Sequence, residues 1–231
     1  MKTLGIVGGI APESTVDYYR SIIAAYRELK PGGSYPPIII NSIDLQKMLA
    51  LVEMGAHEEL TRYLLEEIHR LARAGADFAL LASNTPHLVF DELQRLAPIP
   101  LISIVEAACQ AAKDLGITKA GLLGTSFTMR AQFYAQVFSR EGIIVVVPNP
   151  QEQAWVHDKY MNELVKAKFL PETREGLLEI INRMKEEEGI DGVILGGTEL
   201  PLLLRMVTGT GLSFLNTTEI HVRRAVSEML S

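Results

Sequence analysis

Short apolar runs alternate with longer amphipathic stretches along almost the whole chain. The runs are rich in branched residues and are followed by glycine or small polar residues, which is typical of buried strands. Predicted strands cover 2–8, 36–42, 77–82, 101–104, 119–123, 143–147, 191–196 and 212–215. Predicted helices cover 12–29, 57–74, 105–115, 127–141, 151–168, 172–188 and 217–230, with another opened by Pro86. This alternation predicts parallel sheets with helices on both faces.

Two stretches of the chain read almost alike although they lie 114 residues apart, from Gly75 to Thr85 and from Gly189 to Glu199. Each has a glycine two residues before an aspartate, then an apolar run, then small polar residues. A second pair recurs at nearly the same offset, because Gly5-Ile-Val-Gly-Gly9 matches Gly121-Leu-Leu-Gly-Thr125. The pattern indicates an internal duplication.

The duplication predicts an α/β fold with two pseudo-symmetric lobes, each a parallel sheet flanked by helices, and a ligand cleft between them. A closing helix often returns to pack on the first lobe, so we expect that lobe to comprise 1–100 plus 212–231 and the second to comprise 101–211. With 231 residues, 48% of them hydrophobic, the chain has ample apolar content for packed cores.

Charge and composition narrow the class of partner. The formal net charge is −6 and no run of Lys or Arg occurs, so no nucleic-acid partner is expected. The apolar stretch after Lys2 is too short for a signal peptide or a membrane span, which makes a cytoplasmic protein the expectation. The single cysteine, Cys109, excludes an internal disulfide and is expected to face the core. The five histidines show no metal-binding spacing.

Candidate chemistry falls in four predicted loops at strand ends, where parallel α/β sheets bind ligands. These loops are Gly8 to Glu13, Ser83 to His87, Gly124 to Thr128 and Gly196 to Glu199. Their threonines and Asn84 are neutral hydrogen-bond donors that suit a carboxylate. Neither glycine-rich phosphate motif occurs, which disfavours a nucleotide. Each residue has a structural alternative, since Asn84 and Thr85 would also be ordinary caps of the helix at Pro86.

The same loops resemble the aspartate/glutamate racemase family. The matching segments are Met1 to Thr15, Ala82-Ser-Asn-Thr-Pro-His87, Leu122 to Met129 and Gly196-Gly-Thr-Glu-Leu-Pro201. The resemblance implies a dimeric, two-lobed enzyme that binds a small amino acid or carboxylic acid and uses no pyridoxal phosphate or other cofactor. In most similar enzymes, a cysteine in each half moves a proton at one face of the α-carbon.

Both positions that carry those cysteines differ in this chain. The catalytic positions read Ser83, where the pattern has Cys-Asn-Thr, and Gly197, where it has Gly-Cys-Thr-Glu. The pKa of an alcohol lies far above that of a thiol, which is about 8.5, so an alcohol is a far less accessible base, by about 10 kcal/mol. Ser83 therefore needs a helper base, for which His87 and Glu199 are candidates.

The resemblance also implies a set of substrate-binding residues. These are Gly9, Ile10, Ala11, Asn84, Thr85, Thr125, Thr128, Lys166, Thr198 and Glu199. Lys166 resembles a lysine that aspartate-selective relatives place near the side-chain carboxylate, although it would equally be a solvated helix end. Lys47-Met48 stands where those relatives carry an arginine, which disfavours strict selectivity for acidic side chains.

Three functions fit these observations. The first is an amino-acid racemase or related isomerase acting at the α-carbon with altered acid and base groups. The second is a decarboxylase or one-sided isomerase on the same scaffold. The third is a protein that binds an amino acid or small carboxylate without turning it over.

Overall fold

The computed structural model describes residues 1–32, 34–204 and 209–231. They divide into two compact units. The first unit comprises Met1–Ile104 and Thr218–Ser231, and the second comprises Val105–Thr217. None of the helices within the described ranges is long and apolar enough to cross a membrane.

The elements alternate as the sequence predicts. The strands are β1 Leu4–Gly8, β2 Ile38–Ser42, β3 Phe78–Leu81, β4 Leu101–Ile102, β5 Lys119–Gly124, β6 Ile144–Val146, β7 Gly192–Gly196 and β8 Ser213–Asn216. The helices are α1 Pro12–Leu29, α2 Leu45–Glu53, α3 His57–Arg73, α4 Phe90–Leu96, α5 Ile104–Asp114, α6 Ser126–Arg130, α7 Phe133–Ser139, α8 Pro150–Asn162, α9 Pro171–Arg183, α10 Leu200–Leu203 and α11 Thr217–Leu230. Short 3₁₀ turns cover Thr85–Val89 and Leu164–Lys166, and a π turn covers Met184–Glu188.

The two sheets have the same strand order. The first runs β2-β1-β3-β4 and the second β6-β5-β7-β8, and every neighbouring pair is parallel. In each sheet the first strand along the chain is central and pairs with the second and third. The predicted fold class, two α/β units that each contain a parallel sheet flanked by helices, is therefore confirmed.

Helices cover both faces of the first sheet. On one face, Leu4 and Ile6 of β1 pack with α1 and with the apolar side of α11. On the other face lies α3, and a Cβ placed on Gly5 would meet Leu71 at 3.2 Å. Side chains of this kind each contribute about 1.5–3 kcal/mol when fully buried, so the closing helix is an integral part of this core.

The two ends of the chain meet in the first unit. The backbone N–H of Lys2 donates to the carbonyl of Met229 at 3.0 Å. The Lys2 ammonium lies 2.6 Å from the Glu228 carboxylate and donates to the Ser231 hydroxyl at 3.0 Å. Residues 218–231 thus return to the unit in which the chain begins.

The sequence repeat corresponds to a repeated contact. Gly75 and Gly189 both end helical segments with positive φ, 98° and 68°. Two residues later, Asp77 accepts from the backbone N–H of Thr3 at 2.6 Å. Asp191 accepts from that of Thr118 at 2.9 Å. Asp77 therefore links the start of β3 to the start of β1, and Asp191 links the start of β7 to the start of β5.

Four helical segments differ from the prediction, which has no element at the short helix α10. The prediction has no element at α2, although the side chain of Asp44 accepts from the N–H groups of Gln46 and Lys47 and caps this helix. The single helix expected over 127–141 is wrong, because the chain divides there into α6 and α7. The helix expected over 151–168 ends at Asn162, and the chain then turns through Ala167, whose φ is 54°.

Candidate active site

The strand-end loops lie at one edge of each sheet, because all strands of a unit run in the same direction. In the first unit, the loops after β1 and β3 carry Gly9, Ile10, Ala11, Ser83, Asn84 and Thr85. In the second unit, the loops after β5 and β7 carry Thr125, Thr128, Gly197, Thr198 and Glu199.

The loop after β1 is held by its own helix. The N–H of Gly9 donates to the hydroxyl of Thr15, in the first turn of α1, at 2.8 Å. Gly9 has a φ of 83°, and a Cβ there would lie 2.6 Å from the carbonyl oxygen of Ile43. Only glycine fits this position without strain. The tight turn leaves Ile10 buried and Ala11 partly exposed just before α1 begins.

The loop after β3 places a partly exposed Ser83 beside two buried polar residues, Asn84 and Thr85, which are 3% and 8% exposed. Asn84 precedes the 3₁₀ turn, yet its side chain makes no capping hydrogen bond to that turn. The capping alternative therefore does not explain why an amide is buried at this position.

His87 is committed to the backbone on both ring nitrogens. Its Nε2 accepts from the N–H of Ile104 at 3.2 Å, so the proton is on Nδ1, which donates to the carbonyl of Ser83 at 3.0 Å. Burial, and then the nearby His221, lower the pKa of His87 to about 3. The hypothesis that His87 acts as the helper base of Ser83 finds no support in these contacts.

His221 is a second neutral, buried histidine in the same unit. Its Nε2 lies 3.0 Å from the carbonyl of Ile102 and its Nδ1 lies 2.9 Å from the hydroxyl of Tyr18. The carbonyl can only accept a hydrogen bond, so Nε2 carries the ring proton and donates it, and Nδ1 accepts from the tyrosine hydroxyl. Burial lowers the pKa of His221 to about 4.

The loop after β5 packs through two threonines. Thr125 caps α6, since its hydroxyl accepts from the N–H of Thr128 at 3.3 Å. The side chain of Thr128 is 1% exposed and fills the space above Gly124 and Gly196, at 3.2 Å from the Cβ position of each. Thr125 thus has the structural role of a cap in addition to its predicted place in the site.

Helix α8 brings His157 and Tyr160 to this edge of the second sheet. Asn149 and Glu152 form a capping box that fixes the start of the helix. One and a half turns on, the Nδ1 of His157 accepts from the N–H of Ser126 at 3.2 Å. Burial, and then the charge of Arg130, lower the pKa of His157.

Tyr160 occupies the space beside Gly197. A Cβ placed on Gly197 would overlap a ring carbon of Tyr160 and lie 2.6 Å from its hydroxyl oxygen. The hydroxyl donates to Oε2 of Glu199, which also accepts from the hydroxyl of Thr198 at 2.8 Å. Burial, followed by the negative charge of Glu199, raises the pKa of Tyr160 well above its ordinary value.

The remaining candidates lie elsewhere. Lys166 is exposed, and its ammonium donates to the side chain of Asn162 at 3.3 Å. Cys109 is buried in α5, as expected, and burial raises the pKa of its thiol. Among the described residues, no group of three or more His, Cys, Asp or Glu side chains is placed to hold a metal ion.

Sequence reasoning missed Tyr160 and His157. Their i, i+3 spacing places them on one face of a helix, which is a readable signal. The sequence alone does not say that this face meets the strand ends, and it offers no link between a tyrosine at 160 and a glycine at 197.

Comparison with known proteins agrees with this architecture. The Asp/Glu/Hydantoin racemase family model matches residues 7–225. The broad-specificity amino-acid racemase RacX of Bacillus subtilis is 25% identical over 210 residues, which cover 87% of each chain.

Two solved structures align over the full length of both chains. An aspartate racemase homologue from Pyrococcus horikoshii is 37% identical with a TM-score of 0.86. A candidate Asp/Glu racemase from Yersinia pestis is 31% identical with a TM-score of 0.90. The chain belongs to the Asp/Glu/Hydantoin racemase family.

Proposed function

We propose that this protein is an isomerase of the racemase type, which acts at the α-carbon of an amino acid without a cofactor. The observation that carries the proposal is the matched set of polar side chains after β3 and after β7. Asn84 and Thr85 in one unit, and Thr198 and Glu199 in the other, are all at most 8% exposed. These groups can hydrogen-bond to an amino acid, they follow equivalent strands of the two units, and the chain belongs to a racemase family.

The residues have distinct proposed roles. Asn84, Thr85, Thr125 and Thr198 bind the α-carboxylate and amino group through neutral hydrogen bonds, and Gly9, Ile10 and Ala11 line the site. Thr128 supports Thr125, and Lys166 reaches a polar substrate side chain. Because RacX is described as having broad specificity, a panel of amino acids is a better starting point than aspartate alone.

The test is exchange of the substrate α-hydrogen with solvent deuterium. Purified protein is incubated in D₂O with a panel of D- and L-amino acids, and incorporation is followed by proton NMR and mass spectrometry. Exchange that depends on the protein supports the proposal. Its absence across the whole panel contradicts it.

A second function, ligand binding without turnover, is favoured by the contacts of His87. Both nitrogens of this residue are used by the backbone, so they leave Ser83 without this helper base. A binding protein would be stabilised by an amino acid or dicarboxylate, by about 2.7 kcal/mol at a hundredfold excess over Kd, with no exchange. A thermal-shift screen beside the deuterium experiment separates the two functions.

We also propose that the protein is a cytoplasmic homodimer. The proposal rests on the family resemblance. Sedimentation equilibrium of the purified chain tests the assembly, and a monomer at micromolar concentration would contradict it.

A further inference from the structure

The position that carries a cysteine in the family pattern is filled here by a side chain from another element. Tyr160 projects from α8, and its hydroxyl oxygen lies 2.6 Å from the point where the Cβ of a larger residue 197 would stand. A thiol at 197 and this phenol are mutually exclusive in the observed geometry. The phenol therefore occupies the volume that the Cβ of a cysteine at 197 would need.

The contacts of Tyr160 go beyond filling a volume. A leucine or phenylalanine would occupy the same space, yet this chain buries a phenol against a carboxylate. Tyr160 and Glu199 are 6% and 5% exposed, and Thr198, which donates to the same carboxylate oxygen, is 8% exposed. Withdrawing such groups from water is costly, and apolar residues of similar size often serve stability equally well. Packing alone does not account for the pair.

We propose that the Tyr160 hydroxyl is the acid–base group of the second unit and acts on the substrate α-carbon in place of a thiol at position 197. This inference rests on the proposed function. In it, Glu199 positions the Tyr160 hydroxyl and accepts and returns the hydroxyl proton. The ordinary pKa of a phenol, about 10, lies far below that of the Ser83 alcohol. Burial and the negative charge of Glu199 raise the pKa of Tyr160, so the proposal requires Glu199 to accept the phenol proton directly. The two units are therefore chemically unequal.

The proton transfers balance in both directions. To remove the α-hydrogen, the Tyr160 proton moves along its hydrogen bond to Glu199, and the phenolate oxygen then takes the α-proton. The electron pair of the broken C–H bond stays on the α-carbon and is delocalised into the substrate carboxylate. In the reverse step, the neutral phenol gives its proton to the α-carbon, and Glu199 returns one to the phenolate. Solvent water exchanges with the protons held by the pair.

An acid–base group at one face only has a measurable signature. The enantiomer whose α-hydrogen faces Tyr160 exchanges with deuterium faster than it is inverted, because inversion also needs a proton transfer at the opposite face. We therefore expect deuterium to appear in one enantiomer with retained configuration before the other enantiomer accumulates.

The deciding variant is Tyr160→Phe, which keeps the ring beside Gly197 and removes only the hydroxyl. We expect it to lower the exchange rate about 100-fold or more, which is a typical contribution of general acid–base catalysis. The thermal shift produced by the exchanging amino acid should persist, because the binding groups remain. Tyr26→Phe is the matched control, since Tyr26 is buried and its hydroxyl contacts the sulfur of Met1, remote from the strand-end loops.

Glu199→Gln tests the positioning role by a readout that packing would not move. The amide still accepts a hydrogen bond but is a much poorer proton acceptor, so we expect slower exchange with an altered pH profile. A profile identical to that of the wild type would remove Glu199 from the mechanism.

The outcomes separate the two proposals. If the wild type exchanges and Tyr160→Phe exchanges equally fast, Tyr160 is not the acid–base group and the proposed function stands. If the wild type exchanges no amino acid in the panel, the proposed function fails and this inference fails with it.

Discussion

Gly197 and Tyr160 are a small and a large residue that share one volume at the end of β7. The absence of a side chain at 197 permits the ring at 160 to pack against the backbone. The two positions are therefore energetically coupled, and a change at one should alter the cost of a change at the other. This coupling bears directly on any attempt to restore a cysteine.

We predict that Gly197→Cys lowers the free energy of unfolding by about 1–3 kcal/mol, because the new Cβ would overlap the Tyr160 ring. In a Tyr160→Ala background, the same Cys substitution should cost much less. Urea denaturation of the four proteins of this double-mutant cycle measures the difference. Equal costs in the two backgrounds would show that the ring moves aside freely.

The two buried histidines of the first unit predict a pH dependence of stability. The pKa values of His87 and His221 are about 3 and about 4, below the ordinary value of about 6.5. Between about pH 6.5 and 4 the unfolded chain binds protons on them and the native chain does not. Stability should fall as pH falls through this window, by about 1.4 kcal/mol per pH unit for each histidine.

Chemical denaturation at half-unit pH intervals measures this slope. The double variant His87→Gln with His221→Gln should be less stable at pH 7, because it loses the two buried rings. Its stability should nevertheless vary less with pH between 6.5 and 4. An unchanged slope would assign the pH dependence to other groups.

At the residue scale, the sequence predicts which residues lie at the strand ends better than it predicts their contacts. The position of Ser83 and the polar residues after it follow from a short motif at a strand end. The roles of His87 and Tyr160 do not, because they depend on partners brought from elsewhere along the chain. Ile104 lies 17 residues from His87, and Glu199 lies 39 residues from Tyr160.

At the scale of elements, the repeated aspartates join strands that are distant in sequence. Asp77 accepts a backbone hydrogen bond ahead of β1, and Asp191 accepts from both the backbone and the hydroxyl of Thr118 and from the N–H of Lys119 ahead of β5. Burial raises the pKa of Asp191, but these hydrogen bonds outweigh burial and lower it overall. The repeat is thus a structural device that fixes the order of strands.

We predict that Asp191→Ala destabilises the protein by about 1–3 kcal/mol, and by more than Asp77→Ala, because it leaves more donors without their acceptor. Thermal and urea unfolding at pH 7 measure both effects. Glu186→Ala, at an exposed position in the second unit, is the control and should change stability little. A smaller loss for Asp191→Ala than for Asp77→Ala would contradict this ranking.

Most strands and long helices are predictable because each has strong periodicity and flanking glycine or proline. The missed α2 is short, although its Asp44 cap is a readable start signal. The division of 127–141 into α6 and α7 occurs at Ala131 and Gln132, where no glycine or proline marks it. Such a break is decided by packing, which local sequence does not record.

At the scale of the whole molecule, the second unit is one continuous segment and the first is assembled from both ends of the chain. The apolar side of α11 completes the first core with Val222, Ala225, Val226 and Met229. Removing 218–231 should therefore expose the faces of β1, β3 and α1 that this helix covers.

We predict that a chain truncated after residue 217 loses hydrogen-exchange protection in the first unit and keeps it in the second. Amides of β1 and β3 should exchange much faster than in the full chain, whereas those of β5 and β7 should not. Mass spectrometry of peptic fragments measures both in one experiment. Equal loss in the two units would show that they unfold as one cooperative body.

The contacts of Lys2 with Glu228, Met229 and Ser231 give the polypeptide adjacent termini. A short linker from residue 231 to residue 1, with new ends opened before Val105, would produce a circular permutant. In that rearranged order, 105–217 comes first, and 218–231 is followed directly by 1–104. Each unit would then be encoded by one uninterrupted stretch, so each could be exchanged separately.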